Sequence, residues 1–282
     1  PVITINRIIR RRGLLRPEES HPAARQRFER SAPNELWQMD FKGEIRTEWG
    51  HCYPLCLLDD HSRYALGVYG LASQRLEAVE GCVVRTFERY GVPQAMLVDH
   101  GTPWWSNTNG QGWTRLTVGL IKQGLRIYLS GIGHPQTQGK VERFHRTVGQ
   151  ALRHQGKPGG LEQWRVFLEE FRQQYNHLRP HEALGMQVPA SRYRPSPKPY
   201  NPHPPEWEYP PGAIVKRLNS QGCCEWRQRR HFVCEALAGE QVRLQEADGK
   251  LLVSYRHTYV REIDLQQGSS RPLLLPCSPP HV

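Results

Sequence analysis

The chain has 282 residues, with 38 Lys and Arg against 27 Asp and Glu, a net charge of +11 and 38% hydrophobic residues. No stretch approaches the roughly 18–20 unbroken apolar residues of a membrane span. The opening PVITINRIIRRR lacks the apolar core and cleavage site of a signal peptide, so membrane, secreted and collagen-like classes are set aside.

In chain order, residues 1–33 come first. The first thirty carry eight Arg and three Glu, with Ile5, Ile8 and Ile9 at helical spacing and Gly13 as a stop. This reads as one short basic helix and a polar connector. From 34 to 184 strand and helix signals alternate. LWQMDF (36–41) places Trp37, Met39 and Phe41 on one face and Leu36, Gln38 and Asp40 on the other. CYPLCLL (52–58) and YALGVYGLA (64–72), joined by the turn DDHSR, extend it as antiparallel strands. A helix is predicted from Gln74, capped by Ser73 and ended by Gly91 and Pro93. AMLV (95–98) is the continuous apolar run of a buried central strand. A helical stripe of Trp113, Leu116, Thr117, Leu120 and Ile121 comes next, then a fifth strand RIYL (126–129) and helices over 138–153 and 161–178. The expected core is a mixed five-stranded sheet flanked by helices. Residues 185–210 are Pro-rich and read as a semi-rigid linker. Five short alternating segments in 211–265 predict a small β-barrel, and 266–282 an unstructured tail.

Arginine supplies 31 of the 38 cations. Its planar, permanently charged fork suits phosphate, so the excess favours a nucleic-acid partner over a generic basic surface. The seven cysteines form no zinc-ligand spacing; their odd number, without a signal segment, reads as reduced thiols inside a cell. The chain starts at Pro1 rather than Met, which suggests a portion of something longer.

Three carboxylates stand out. Asp40 lies in the first strand opposite its aromatic face, Asp99 ends a four-residue apolar strand, and Glu142 sits beside the buried stripe of its helix. A carboxylate taken out of water is costly unless it is paired or binds metal. An all-oxygen set suits Mg²⁺ or Mn²⁺. Plainer readings stand beside each: Asp99 as a turn cap, Glu142 as a solvated helix charge, Asp40 paired with an Arg. Asp59 and Asp60, at a hairpin turn, are assigned to local hydrogen bonding.

The segments W37-Q-M-D40-F, L97-V-D99-H-G-T-P-W104 and H134-P-Q-T-Q-G-K-V-E142-R-F-H-R-T147 together resemble the retroviral-integrase-like core of the DDE transposases, especially those of bacterial insertion sequences. The resemblance implies an RNase H-like core with Asp40, Asp99 and Glu142 as catalytic triad and as ligands of two Mg²⁺ (or Mn²⁺) ions. It implies cleavage at transposon ends and transfer of the 3′-hydroxyl into target DNA, by a homodimer or higher multimer on DNA. It also implies action in a bacterial cytoplasm, at the nucleoid. Lys140, Arg143, His145 and Arg146 are candidate DNA contacts on the third helix. Arg10, Arg11 and Arg12, in what resembles the end of a helix-turn-helix, and Arg229 and Arg230 in the barrel are others. Two further readings are a plain RNase H-fold nuclease and a catalytically silent DNA-binding relative acting as repressor or architectural protein.

Overall fold

The computed structural model describes residues 29–47, 50–130, 139–155 and 159–273. The segment expected to form a basic N-terminal helix, with Arg10, Arg11 and Arg12, lies outside the described residues, as do His134 and the last nine residues.

The first four strands are β1 (Trp37–Phe41), β2 (Ile45–Thr47), β3 (Gly50–Asp59) and β4 (Ala65–Leu71). Helix α1 (Leu76–Tyr90) leads to β5 (Ala95–Val98), and a loop carrying two-residue strands β6 (Trp105–Ser106) and β7 (Gly112–Trp113) leads to α2 (Arg115–Lys122). After β8 (Arg126–Leu129) come α3 (Gly139–Gln155) and α4 (Leu161–His177). The sheet order is β4-β3-β1-β5-β8, with β2 on the start of β3, so the five expected strands gain a short sixth. β1 pairs antiparallel with β3 and parallel with β5; β5 pairs parallel with β8.

Alternation along the strands divides the apolar side chains between the two faces. Trp37, Met39, Leu55 and Leu57 pack with Val79, Val83 and Phe87 of α1 and Leu116 and Leu120 of α2. Cys56, Leu58 and Val68 face the other way, against Val141, Phe144 and Val148 of α3 and Trp164 and Leu168 of α4. The same face of β1 and β5 holds only a small cluster, Leu36, Ala95 and Leu97, beside Tyr128. Arg30 of the connector lies over that Tyr128 ring at 6.0 Å.

Two helix starts differ from expectation. Helix α1 begins after Arg75 with no side-chain cap, two residues beyond the expected Gln74, so Ser73 stands too early to cap it. Trp113 belongs to β7; Thr114 caps α2 and forms a capping box with Thr117, and this sets the start at Arg115, two residues after Trp113.

The Pro-rich stretch is strapped to the core. Tyr193 stacks on Tyr64 at 4.3 Å, Ser196 N donates to Tyr90 O at 2.8 Å, and Val92 N donates to Lys198 O at 2.7 Å. Gly91, at φ 74°, lets the strap close in: a Cβ there would lie 2.6 Å from Ser196 O.

The C-terminal strands are β9 (Ile214–Arg217), β10 (Cys223–Trp226), β11 (Arg229–Phe232), β12 (Gln241–Ala247), β13 (Lys250–Tyr255), β14 (Thr258–Asp264) and β15 (Ser270–Pro272). In place of the expected barrel they form an open antiparallel sheet, β15-β14-β13-β12-β9, and a separate β10–β11 hairpin. The physical reason is that the α/β core covers the apolar residues a barrel would enclose. Val233, Leu237, Val242, Leu244 and Val253 share one cluster with Trp113, Leu116 and Leu120. β15 also lies within the stretch expected to be an unstructured tail, because pairing with β14 satisfies its backbone.

Arg261 of β14 joins the two parts. It is 1% exposed and donates to Gly110 O at 2.6 Å, to Gln111 O at 3.0 Å and to Ser270 Oγ at 3.2 Å. Beside it Trp113 Nε1 donates to Val260 O at 3.0 Å. Arg261→Met strands two loop carbonyls, and the expected cost is about 2–3 kcal/mol, read by urea denaturation with tryptophan fluorescence. An unchanged midpoint would mean that the sheet is held to the core by apolar contact alone.

Candidate active site

The parallel pairing of β1 and β5 brings the first two carboxylates together. Trp37 lies opposite Met96 and Gln38 opposite Leu97; the same register carried forward sets Asp40 level with Asp99. By alternation both continue the Leu36–Leu97 side of the sheet. Burial raises the Asp40 carboxyl to about 7, with the charges of Asp99 and then Glu142 adding to the rise. Burial also raises Asp99, opposed by Gly101 N, which donates to its Oδ1 at 3.0 Å, and by His100. A Cβ at Gly101 would stand 3.1 Å from Asp99 Oδ2, so a side chain there would crowd the carboxylate. His100 Nδ1 meets Ser130 O at 2.7 Å and ties the ends of β5 and β8 together.

Helix α3 runs in step with β1. Val141 N donates to Gln38 Oε1 at 3.3 Å, and His145 Nδ1 lies 3.9 Å from Asp40 Oδ2. Four helical residues advance about 6 Å and two strand residues about 6.6 Å, so one turn of α3 spans Gln38 to Asp40. Glu142 is on that turn, exposed, and close enough for its charge to act on Asp40. Among the described residues, no three of His, Cys, Asp and Glu stand close enough to hold one metal ion. The fold therefore brings Asp40 and Asp99 together and leaves Glu142 beside them. The donor chemistry fits a hard divalent cation: two adjacent desolvated carboxylates repel each other, and a cation between them relieves that repulsion.

The other site candidates are spread over the molecule. Lys140 Nζ sits on Asp60 Oδ1 at 2.6 Å, facing inward, while Arg143 and Arg146 are exposed on α3. His145 is mostly buried against Asp40, and burial with the charge of Lys42 lowers it to about 4, so its ring is neutral. Its Nε2 has no hydrogen-bond partner among the described residues. Arg229 and Arg230 are exposed on the β10–β11 hairpin, Arg230 donating to Gln221. Trp104 and Trp105 are core residues, 1% and 5% exposed. Asp59 serves the turn, accepting from Ser62 N at 2.8 Å and Asn34 N at 2.8 Å. Asp60, expected to bond locally in the turn like Asp59, instead takes Lys140, Gln38 and Arg30 N on its carboxylate, because burial brings these distant segments over it. Gln38 is a site neighbour that the sequence pattern does not single out. The one available signal for Gln38 is that it shares a strand face with Asp40.

Asp40 yields a pH prediction. Its folded value, about 7, lies above its ordinary 3.8, so between them the folded state holds a proton that the unfolded chain has lost. Raising the pH through that window lowers the stability of the metal-free protein. Asp40→Asn should gain on the parent by on the order of 3 kcal/mol from pH 4 to 7.5, measured by urea denaturation across pH. A difference independent of pH would show Asp40 to be well solvated.

Comparison with known proteins bears on the family of the chain. Two families, each described as an integrase core domain, match residues 30–135 and 123–189. The transposase of transposon Tn552 from Staphylococcus aureus is 27% identical over 143 residues, 44% of this chain and 28% of that protein. An uncharacterised protein of insertion element IS407 from Burkholderia multivorans is 26% identical over 165 residues, 56% of this chain and 55% of its own. The chain thus spans about a quarter to a half of the length of these relatives. A simian T-cell lymphotropic virus intasome structure aligns with TM-score 0.50 and 15% identity, covering 90% of this chain and 82% of its own, and supports the RNase H-like α/β fold. With integrase core domain matches running from residue 30 to 189, the chain belongs to the DDE transposases of the insertion-sequence type.

Proposed function

We propose that the chain is the catalytic portion of a DNA transposase, cleaving at transposon ends and transferring the 3′-hydroxyl into target DNA. The observation that carries this reading is the Asp40–Asp99 pair at the ends of two adjacent parallel strands, both carboxyls raised by burial. Asp40, Asp99 and Glu142 are the proposed ligands of two Mg²⁺ or Mn²⁺ ions. When bound, such ions supply Lewis acidity to the attacking and leaving oxygens of a phosphodiester. The chain's own groups prepare the site: Asp40 gives up its proton, Gly101 N–H orients the Asp99 carboxylate, and the neutral His145 ring packs against Asp40. The first turn of α3 carries Glu142 beside the pair, near enough for its charge to act on Asp40. No serine or tyrosine nucleophile is required.

Arg143 and Arg146, exposed on the same helix, are proposed to hold DNA phosphates, with Arg10, Arg11, Arg12, Arg229 and Arg230 as more distant contacts. Such binding weakens steeply with salt. The proposed division is a DNA-binding segment with its connector (1–33), catalytic core (34–184), Pro-rich strap (185–210), C-terminal sheet (211–265) and tail. Joining two DNA ends in concert calls for a dimer or higher multimer, acting on DNA in a bacterial cytoplasm. Among the described residues no helix is long and apolar enough to cross a membrane.

The position of Glu142, outside the Asp40–Asp99 pair, favours one competing reading: a silent DNA-binding relative. A strand-transfer assay with a recessed-end duplex and a supercoiled plasmid, in Mg²⁺ or Mn²⁺, separates the two. Glu142→Gln should lower transfer by at least about three orders of magnitude and leave DNA binding intact. Equal transfer by the variant would remove Glu142 from the site, and no transfer by the parent would favour the silent relative.

A further inference from the structure

The turn between β3 and β4 holds two fully buried aspartates with different partners. Asp59 closes the turn through Ser62 and Asn34. Asp60 is not needed for that. Its carboxylate, 0% exposed, receives donors from three separate stretches of chain. Lys140 Nζ reaches Oδ1 at 2.6 Å and the Asp60 carbonyl at 3.0 Å. Gln38 Nε2 donates to Oδ1 at 2.8 Å, and Arg30 N donates to Oδ2 at 2.8 Å.

These partners are the parts that bear on the third carboxylate. Gln38 accepts from Val141 N, so it bridges Asp60 and the first turn of α3. Lys140 is on that turn, two residues before Glu142. Arg30 belongs to the connector, which is tied again where His61 Nδ1 meets Arg30 O at 2.8 Å and Arg63 donates to Glu29 at 2.9 Å. A buried ion pair with extra hydrogen bonds is intolerant of displacement, because moving either partner leaves an uncompensated charge out of water.

We propose that Asp60 is a positioning residue for Glu142. Through Lys140 and Gln38 it fixes the height of the first turn of α3 along β1. Through the Arg30 N–H it couples that height to the seating of the connector from the basic N-terminal segment. The proposal rests on the reading of Glu142 as a metal ligand.

The test uses the full chain and three variants. Asp60→Asn keeps the shape and removes the charge; Lys140→Met leaves the connector's bond in place; Glu142→Gln removes the proposed ligand itself. Amide exchange is followed over 29–31, 140–144 and 148–153, and Mn²⁺ alone is titrated by electron paramagnetic resonance. In Asp60→Asn, exchange should rise about tenfold or more at both 29–31 and 140–144 and little at 148–153. Mn²⁺ affinity should fall about tenfold or more. In Lys140→Met, the rise should be confined to 140–144, with the same loss of Mn²⁺ affinity; this variant carries the test if Asp60→Asn does not fold. Exchange rising evenly over all three stretches would reduce Asp60 to an ordinary core residue and overturn the proposal. So would unchanged Mn²⁺ affinity in Asp60→Asn and Lys140→Met while Glu142→Gln weakens it. If Glu142→Gln leaves Mn²⁺ affinity unchanged, the ligand reading itself fails.

Discussion

Repulsion between two carboxylates held out of water is the constraint around which this core is arranged. The register of two parallel strands, carried forward from Trp37–Met96 and Gln38–Leu97, sets Asp40 level with Asp99 on one side of the sheet. Burial first, and then the charge of Asp99, raise the Asp40 carboxyl to about 7, so it keeps its proton close to neutrality. A site in that state has lost part of its solvation, and the divalent cation proposed for it would restore what burial removed.

The two helical layers are matched to that pair unequally. Helices α1 and α2 cover the Trp37–Met39 face, while α3 and α4 pack mainly over β3 and β4 on the other. This leaves the β1–β5–β8 part of the second face with a small apolar cluster and a connector across it. Carboxylates at that edge are half-buried: dry enough to be perturbed, open enough to be reached. A sheet covered evenly on both faces would bury them entirely, and an uncovered one would leave them as ordinary solvated acids.

The segments beyond the strand ends are held from outside the sheet. The loop after Asp99 is fastened by His100 to Ser130 at one end and by Arg261 at Gly110 and Gln111 at the other. The C-terminal sheet is thus a wall of the core, and the Pro-rich strap that leads to it is bonded to the C-terminal end of α1. The helix bearing Glu142 is fastened through Lys140 and Gln38 to Asp60. Each proposed ligand has a fixed neighbour of a different kind: a strand for Asp40, a clamped loop for Asp99, an ion-paired turn for Glu142.

Much of this was legible in the chain. Period-two alternation in LWQMDF placed Asp40 opposite the aromatic face, the apolar run AMLV placed Asp99 at a strand end, and 3.6-residue stripes located four helices. These patterns are local, because a strand or helix repeats on a scale of a few residues. The open C-terminal sheet was not legible, since its short alternating strands read the same whether they cover one another or are covered by Leu116 and Trp113. Nor was the inward turn of Lys140, which looks like a solvated helix cation until a buried Asp60, eighty residues away, is placed beside it. The sequence by itself determined where the main strands and helices of the core lie and that Asp40 and Asp99 stand beside apolar strand residues. Only the tertiary structure decided which charges meet, because burial and pairing depend on segments far apart in the chain arriving at one place.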